Sequence, residues 1–199
     1  MQHTGNSVVY IVPANQSKFR MHQLIAACHT NDRKAQLELY NRYCDGMFIV
    51  TKRFLKDPFE AEDAMQEAFI KAFTKLHQYN GEVTFGAWLK KIVINKCIDK
   101  LKAKKLELVA LNEHVLSTPD EDDNWQIDDG IGIEQVKKTI ENLPQKYKYP
   151  LMLYLIEGYD HEEISEILNI TQVASRTLLH RGKKKLQDQL KLLKNGTGY

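Results

Sequence analysis

The chain has 199 residues, 28 Lys+Arg against 26 Asp+Glu, a net charge of +2, and 43% hydrophobic and 27% charged residues, which excludes wholesale disorder. Ten Gly and five Pro exclude a collagen-like or proline-rich chain, and the longest apolar runs, Val8–Val12 and Leu151–Ile156, fall far short of the ~20 residues of a membrane span. Cys28, Cys44 and Cys97 are widely spaced and form no C-x-x-C pair. They fit reduced thiols better than a disulfide framework or a zinc site. With no basic segment followed by an apolar core at the N-terminus, the expected compartment is the cytoplasm.

The small net charge conceals a segregation. Residues 1–105 carry 17 basic and 10 acidic residues, residues 106–134 carry nine acids and no Lys or Arg, and residues 135–199 carry 11 basic and 7 acidic residues. Two cationic blocks joined by an acidic segment of poor periodicity predict two domains on a tether; a merely solvated linker is the plainer alternative.

In chain order, residues 1–18 read as a flexible tail: a small β-like cluster at Val8–Val12 ends at Pro13. Residues 19–105 have helical apolar spacing. One helix is expected from an Asp32 cap through Leu37, Tyr40, Tyr43, Cys44, Met47, Phe48 and Val50 to Leu55. A second begins at Pro58 with Asp57 as cap. Ala61, Ala64, Met65, Ala68, Phe69, Ala72, Phe73 and Leu76 give it an i, i+3, i+4 stripe over four turns. Tyr79-Asn80-Gly81 breaks the pattern, and a third helix follows from near Thr84 to Lys105. Residues 106–132 are the linker. Residues 133–194 form a helical domain, with helices expected at roughly 131–142, 144–157, 161–168 and 172–194, and 195–199 are a tail. The fold class is all-α, in two small domains.

The C-terminal pair has the layout of a DNA-reading helix-turn-helix: a short helix over 162–168, Asn169 able to turn left-handed, and a long helix capped by Thr171. Projected at about 100° per residue, Leu178, Leu179, Gly182, Leu186 and Leu190 face the core. Arg176, Thr177, His180, Lys183 and Lys184 lie opposite, with Gln172 and Arg181 at the margins. Arg176, Thr177 and His180 are the candidates for base edges, and Arg181, Lys183 and Lys184 for phosphates. A plain solvated basic helix is the alternative.

In the N-terminal block, Phe59, Asp63, Gln66, Glu67 and Ile70 share the face opposite the apolar stripe, a pattern of a protein-docking patch or of a solvated face. On the next helix Lys91, Asn95, Asp99 and Lys102 form a polar strip with Trp88 at its edge, beside the His77–Thr84 loop carrying Tyr79 and Asn80. Aromatic and basic groups interleaved in this way suit single-stranded nucleic acid; a core tryptophan and a solubilising lysine strip are the alternatives.

These residues also resemble a known family. Asp57–Phe69 is similar to the region 2.2 pattern of bacterial sigma factors, Phe85–Asn95 to regions 2.3–2.4, and Leu143-Pro144 onward, Glu157–Leu168 and Leu179–Leu186 to region 4.2. The order and spacing resemble an extracytoplasmic-function (group IV) sigma factor, the minimal type with regions 2 and 4. That resemblance implies a promoter-specificity subunit without catalysis of its own. Phe59, Asp63, Gln66, Glu67 and Ile70 would dock on core RNA polymerase. Tyr79, Asn80, Trp88, Lys91, Asn95, Lys96, Asp99 and Lys100 would hold the melted −10 element. Gln172, Arg176, Thr177, His180, Arg181, Lys183 and Lys184 would read the duplex −35 element. It further implies an acidic linker threading the polymerase RNA path and a restraining anti-sigma protein, with no cofactor, metal or small-molecule substrate. Val173-Ala174, Leu178 and Gly182 depart from the family pattern and leave the −35 sequence unpredicted. Promoter elements two helical turns apart place the domains ~70 Å from each other, within the roughly 96 Å reach of the 29-residue acidic segment 106–134. The alternatives are a conventional helix-turn-helix regulator and a sigma mimic that titrates an anti-sigma protein. No G-x-x-x-x-G-K, G-x-S-x-G or H-E-x-x-H motif suggests an enzyme, and His161-Glu162-Glu163 reads as a helix start.

Overall fold

The computed structural model describes residues 14–104 and 130–196, and the side chains of 19–104 and 130–194. Every described element is helical: α1 (Ala14–His29), α2 (Arg33–Phe54), α3 (Pro58–Thr74), a 3₁₀ turn (Leu76–Gln78), α4 (Phe85–Ala103), α5 (Ile133–Glu141), α6 (Gln145–Leu151), a π turn (Met152–Ile156), α7 (His161–Leu168) and α8 (Gln172–Gly196). Two sequence boundaries move. Residues 14–18, expected in the tail, open α1, and α8 runs on to Gly196 rather than stopping at Lys194. Most of the acidic linker lies outside the described residues.

Two compact units are present. One comprises the described residues up to Arg53 together with Asp57–Val93, and the other Phe54–Lys56 with those from Ile94 onward. The division falls inside α4, whereas the sequence places it at the end of that helix.

The first unit is built on local signals. Asn31 turns left-handed at φ 59° after α1, and the Asp32 carboxylate then accepts from the Lys34 and Ala35 amides at 2.8 and 3.2 Å, starting α2. Asp57 repeats the device for α3, accepting from Phe59 and Glu60 at 2.8 and 3.2 Å, with Pro58 supplying a preset φ where no donor is needed. The predicted stripe of α3 is the buried one: Ala61, Ala64, Met65, Ala68, Phe69 and Ala72 face inward. Four of the six are alanines, and Phe69 meets Tyr40 of α2 with ring centroids 4.8 Å apart.

The second unit contains one irregularity that the periodicity does not foretell. The expected helix over 144–157 is α-helical only to Leu151, with Pro150 inside it. Proline offers no amide hydrogen to the ladder. The following turn widens, so that Glu157 N donates to the Met152 carbonyl at 3.0 Å, a π pattern. Gly158, at φ 79°, ends it. α7 then opens with a capping box: Asp160 accepts from Glu163 N at 2.8 Å while the Glu163 carboxylate accepts from Asp160 N at 3.1 Å. Asp160→Ala removes the side-chain acceptor of Glu163 N and leaves the backbone donor to Glu163 in place; it is expected to lower stability by about 1 kcal/mol, read as a lower urea midpoint, while Asp160→Asn retains most of it.

Candidate nucleic-acid interface

The helix-turn-helix forms as its residues suggest. Ile164, Ile167 and Leu168 of α7 are buried, and Asn169 sits at φ 57°, ψ 53° in the left-handed region, which asparagine tolerates better than most residues. The Thr171 hydroxyl accepts from Ala174 N at 3.1 Å and caps α8. Leu178, Leu179, Gly182, Leu186 and Leu190 are all buried. Gln172, Arg176, His180, Arg181 and Lys184 are exposed, and Lys183 is half-buried.

Thr177 does not join them, which corrects its assignment as a base contact. It is 2% exposed, and its hydroxyl donates to the Val173 carbonyl at 3.0 Å. The buried arc of α8 is wider than a simple stripe, taking in Ala174, Ser175 and Thr177 as well as the leucines. The i−4 bond satisfies the threonine inside that arc.

Tyr154 and His161, which the sequence does not mark as site residues, stand beside this surface. Lys183 Nζ lies 4.7 Å from the centroid of the Tyr154 ring, a cation–π contact that fixes the amine. Tyr154 in turn stacks on His161 at 5.5 Å and 29°, and His161 Nδ1 is 3.4 Å from Ser175 Oγ. Burial, and then the positive charges of Arg176 and Lys183, push the His161 pKa down, against a smaller opposing effect of Asp160. All of these but Asp160 favour the neutral imidazole. Tyr154 lies 29 positions before Lys183, and no periodicity links them.

In the first unit, the loop before α4 is held by its own bonds. Tyr79 donates its hydroxyl to the Val83 carbonyl at 2.8 Å, Asn80 Oδ1 accepts from Glu82 N at 3.1 Å, and Thr84 Oγ1 accepts from Ala87 N at 3.3 Å. Tyr79, Phe85 and Trp88 form a ring cluster with centroids 5.5–5.6 Å apart, and Tyr43 of α2 adds to Phe85 at 5.4 Å. Gly86 admits Tyr43 here, since a Cβ at that position would stand 2.9 Å from its ring. Burial raises the phenol pKa of both Tyr43 and Tyr79. Trp88 is thus half-buried, one side in the cluster and part of its surface open. Asn80 is exposed and Lys91 partly so; further along α4, in the stretch that belongs to the second unit, Asp99 is exposed and Asn95, Lys96, Lys100 and Lys102 are partly so.

The outer face of α3 presents two large apolar groups to solvent, Phe59 at 81% and Ile70 at 67% exposure. Between them lie exposed Asp63 and Gln66 and partly buried Glu67. Apolar groups this exposed beside carboxylates fit a protein contact.

Residues 39–107 match Sigma-70 region 2, and residues 133–186 match Sigma-70 region 4. The chain is 31% identical over 171 residues to the ECF RNA polymerase sigma factor SigW of Bacillus subtilis, covering 80% of this chain and 91% of SigW. It is 27% identical over 182 residues to the RNA polymerase sigma-H factor of Pseudomonas aeruginosa, covering 86% of this chain and 94% of that protein. Its fold is similar to that of CnrH in the solved complex with the cytosolic domain of CnrY, with a TM-score of 0.51 and 21% identity over 85% of this chain and 96% of CnrH. Both regions in order, and a relative matched along nearly its whole length, place the chain in the extracytoplasmic-function sigma factors, which bind core RNA polymerase, recognise promoter DNA and direct transcription initiation.

Proposed function

We propose a division of labour among three surfaces. The α3 face of Phe59, Asp63, Gln66, Glu67 and Ile70 holds core polymerase. The loop and α4, through Asn80, Trp88, Lys91, Asn95, Lys96, Asp99 and Lys100, hold the separated −10 strand, and Tyr79 acts there by bracing the loop and Trp88. The exposed face of α8 reads the −35 duplex, with Arg176 and His180 at base edges and Gln172, Arg181, Lys183 and Lys184 at phosphates. The observation that carries this reading is the α8 face itself: a row of exposed cations launched by the left-handed Asn169 turn. Short helix, turn and long helix set the second helix into a major groove, N-terminal residues foremost.

The chain works in the cytoplasm, where its polymerase is. Among the described residues no helix is long and apolar enough to cross a membrane. An anti-sigma protein restrains it, a reading supported by CnrH, which shares the fold and was solved with a cytosolic partner domain. Regions 39–107 and 133–186 act as two domains on the acidic tether.

Run-off transcription with purified core enzyme on a library of −35 sequences tests the α8 assignment. Arg176→Ala is expected to weaken some −35 sequences far more than others, because a good bidentate base contact is worth ~1–3 kcal/mol of discrimination. An equal loss on every promoter would make Arg176 a phosphate contact only.

A further inference from the structure

The inner face of α8 meets α6 at one point where it has no side chain. Gly182 is buried between Leu179 and Leu186. A methyl group there would stand 3.1 Å from Leu151 Cδ1, 3.2 Å from Leu151 Cγ and 3.4 Å from Tyr147 Cβ. Glycine inside a helix is less favourable than alanine, so α8 by itself gains nothing from it. Leu151 is 0% exposed and has little room to turn aside. The Tyr147 atom is a Cβ, tied to the α6 backbone. A methyl would therefore be met chiefly by α8 moving away from α6.

The same level of α8 carries two contacts to its neighbours. Lys183 lies over Tyr154 at 4.7 Å, and Lys185 over Tyr147 at 6.0 Å. His180 and Arg176 stand only about 3 and 9 Å further along the axis, at ~1.5 Å per residue. Recognition groups need their geometry held within ~0.5 Å. A shift of a few tenths of an ångström at the seam is of that order.

We propose that Gly182 is a positioning residue for promoter recognition: by seating α8 directly on α6, it sets the depth and rotation at which Arg176, His180 and Arg181 meet the −35 duplex. This rests on α8 being the −35 reader, as proposed above.

The test uses the full chain with core polymerase on the −35 library. Gly182→Ala is expected to change the ranking of −35 sequences and to lower output on the best of them about tenfold, the scale of one lost base contact, with holoenzyme assembly unchanged. Adding Leu151→Val, which removes Cδ1, the atom the methyl meets at 3.1 Å, with the loss of a single carbon, is expected to restore the ranking; Leu151→Val alone is the control. A wild-type ranking, a uniform loss across all −35 sequences, or a failure of Leu151→Val to restore the ranking overturns the proposal. If Gly182→Ala does not fold, recovery of a folded, active chain in the pair supports the proposal, and no recovery overturns it. Should Arg176→Ala shift the ranking while Gly182→Ala does not, only this inference falls; if neither does, the reading beneath it falls too.

Discussion

A chain carrying Asp63→Lys and Gln66→Ala is expected to lose co-purification with core RNA polymerase while its far-UV circular dichroism stays that of the parent. The two faces of α3 explain why these outcomes separate. Its inward stripe is closed, with Ala61, Ala64 and Ala68 all at 0% exposure, and that stripe, together with the Asp57 cap, holds the helix in place. Asp63 and Gln66 lie outside it, and exposed substitutions away from caps and cores change stability by only ~0.5 kcal/mol. At an interface the scale differs. A reversed charge in a matched surface costs several kcal/mol, enough for a loss of roughly 100-fold or more in affinity. Phe59→Ala adds an independent check, since an aromatic anchor with 81% exposure in the free protein has most of its surface to bury on binding. Retained co-purification of the double variant would remove the docking assignment and leave the fold untouched.

The parts of this molecule that were legible from sequence are those fixed within a few residues. Asp57-Pro58 starts α3, Asp160 with Glu163 starts α7, and Asn169 turns the chain into α8, each through bonds spanning two to four positions. The buried stripe of α3 and the leucine seam of α8 follow from helical period alone. The misses arise where a second element decides. Thr177 projects to the outer side of α8 when a single core direction is assumed. Ala174, Ser175 and Thr177 are nonetheless buried, because α8 is enclosed over a wider arc than one stripe covers. The run Met152–Ile156 is apolar enough to pass for more of α6, and only the missing amide of Pro150 hints at the π turn. The contact of Lys183 with Tyr154, and the cluster joining Tyr43 to Phe85 and Tyr79 to Trp88, join residues from separate elements. Sequence reasoning left Trp88 open between core and nucleic-acid stacking. Its half-burial, one side against Tyr79 and Phe85, leaves room for both roles.

Leu179→Ala is expected to abolish −35-dependent transcription while leaving attachment to core polymerase in place. Leu179 is 1% exposed and sits in the seam of α8 beside Leu178 and Gly182. Truncating a buried leucine costs about 2–5 kcal/mol, the transfer of the lost carbons plus the cavity left behind. The second unit, Phe54–Lys56 with the described residues from Ile94 on, is close to the size at which a single hydrophobic core rarely supplies more than ~3–5 kcal/mol. One such cavity is therefore comparable with the whole margin, and the proposed −35 row from Arg176 to Lys184 loses its rigid seat. The α3 face belongs to the other unit, whose caps and alanine stripe are untouched. Urea unfolding followed by circular dichroism should show an early loss of part of the helical signal, and pull-down with core enzyme should still recover the variant. Leu192→Ala is the matched control: the same atoms are removed from a residue 71% exposed, and both the unfolding curve and transcription should stay those of the parent. If Leu179→Ala instead abolished core binding together with promoter use, the two functions would share one cooperative fold, and the separation of surfaces would fail.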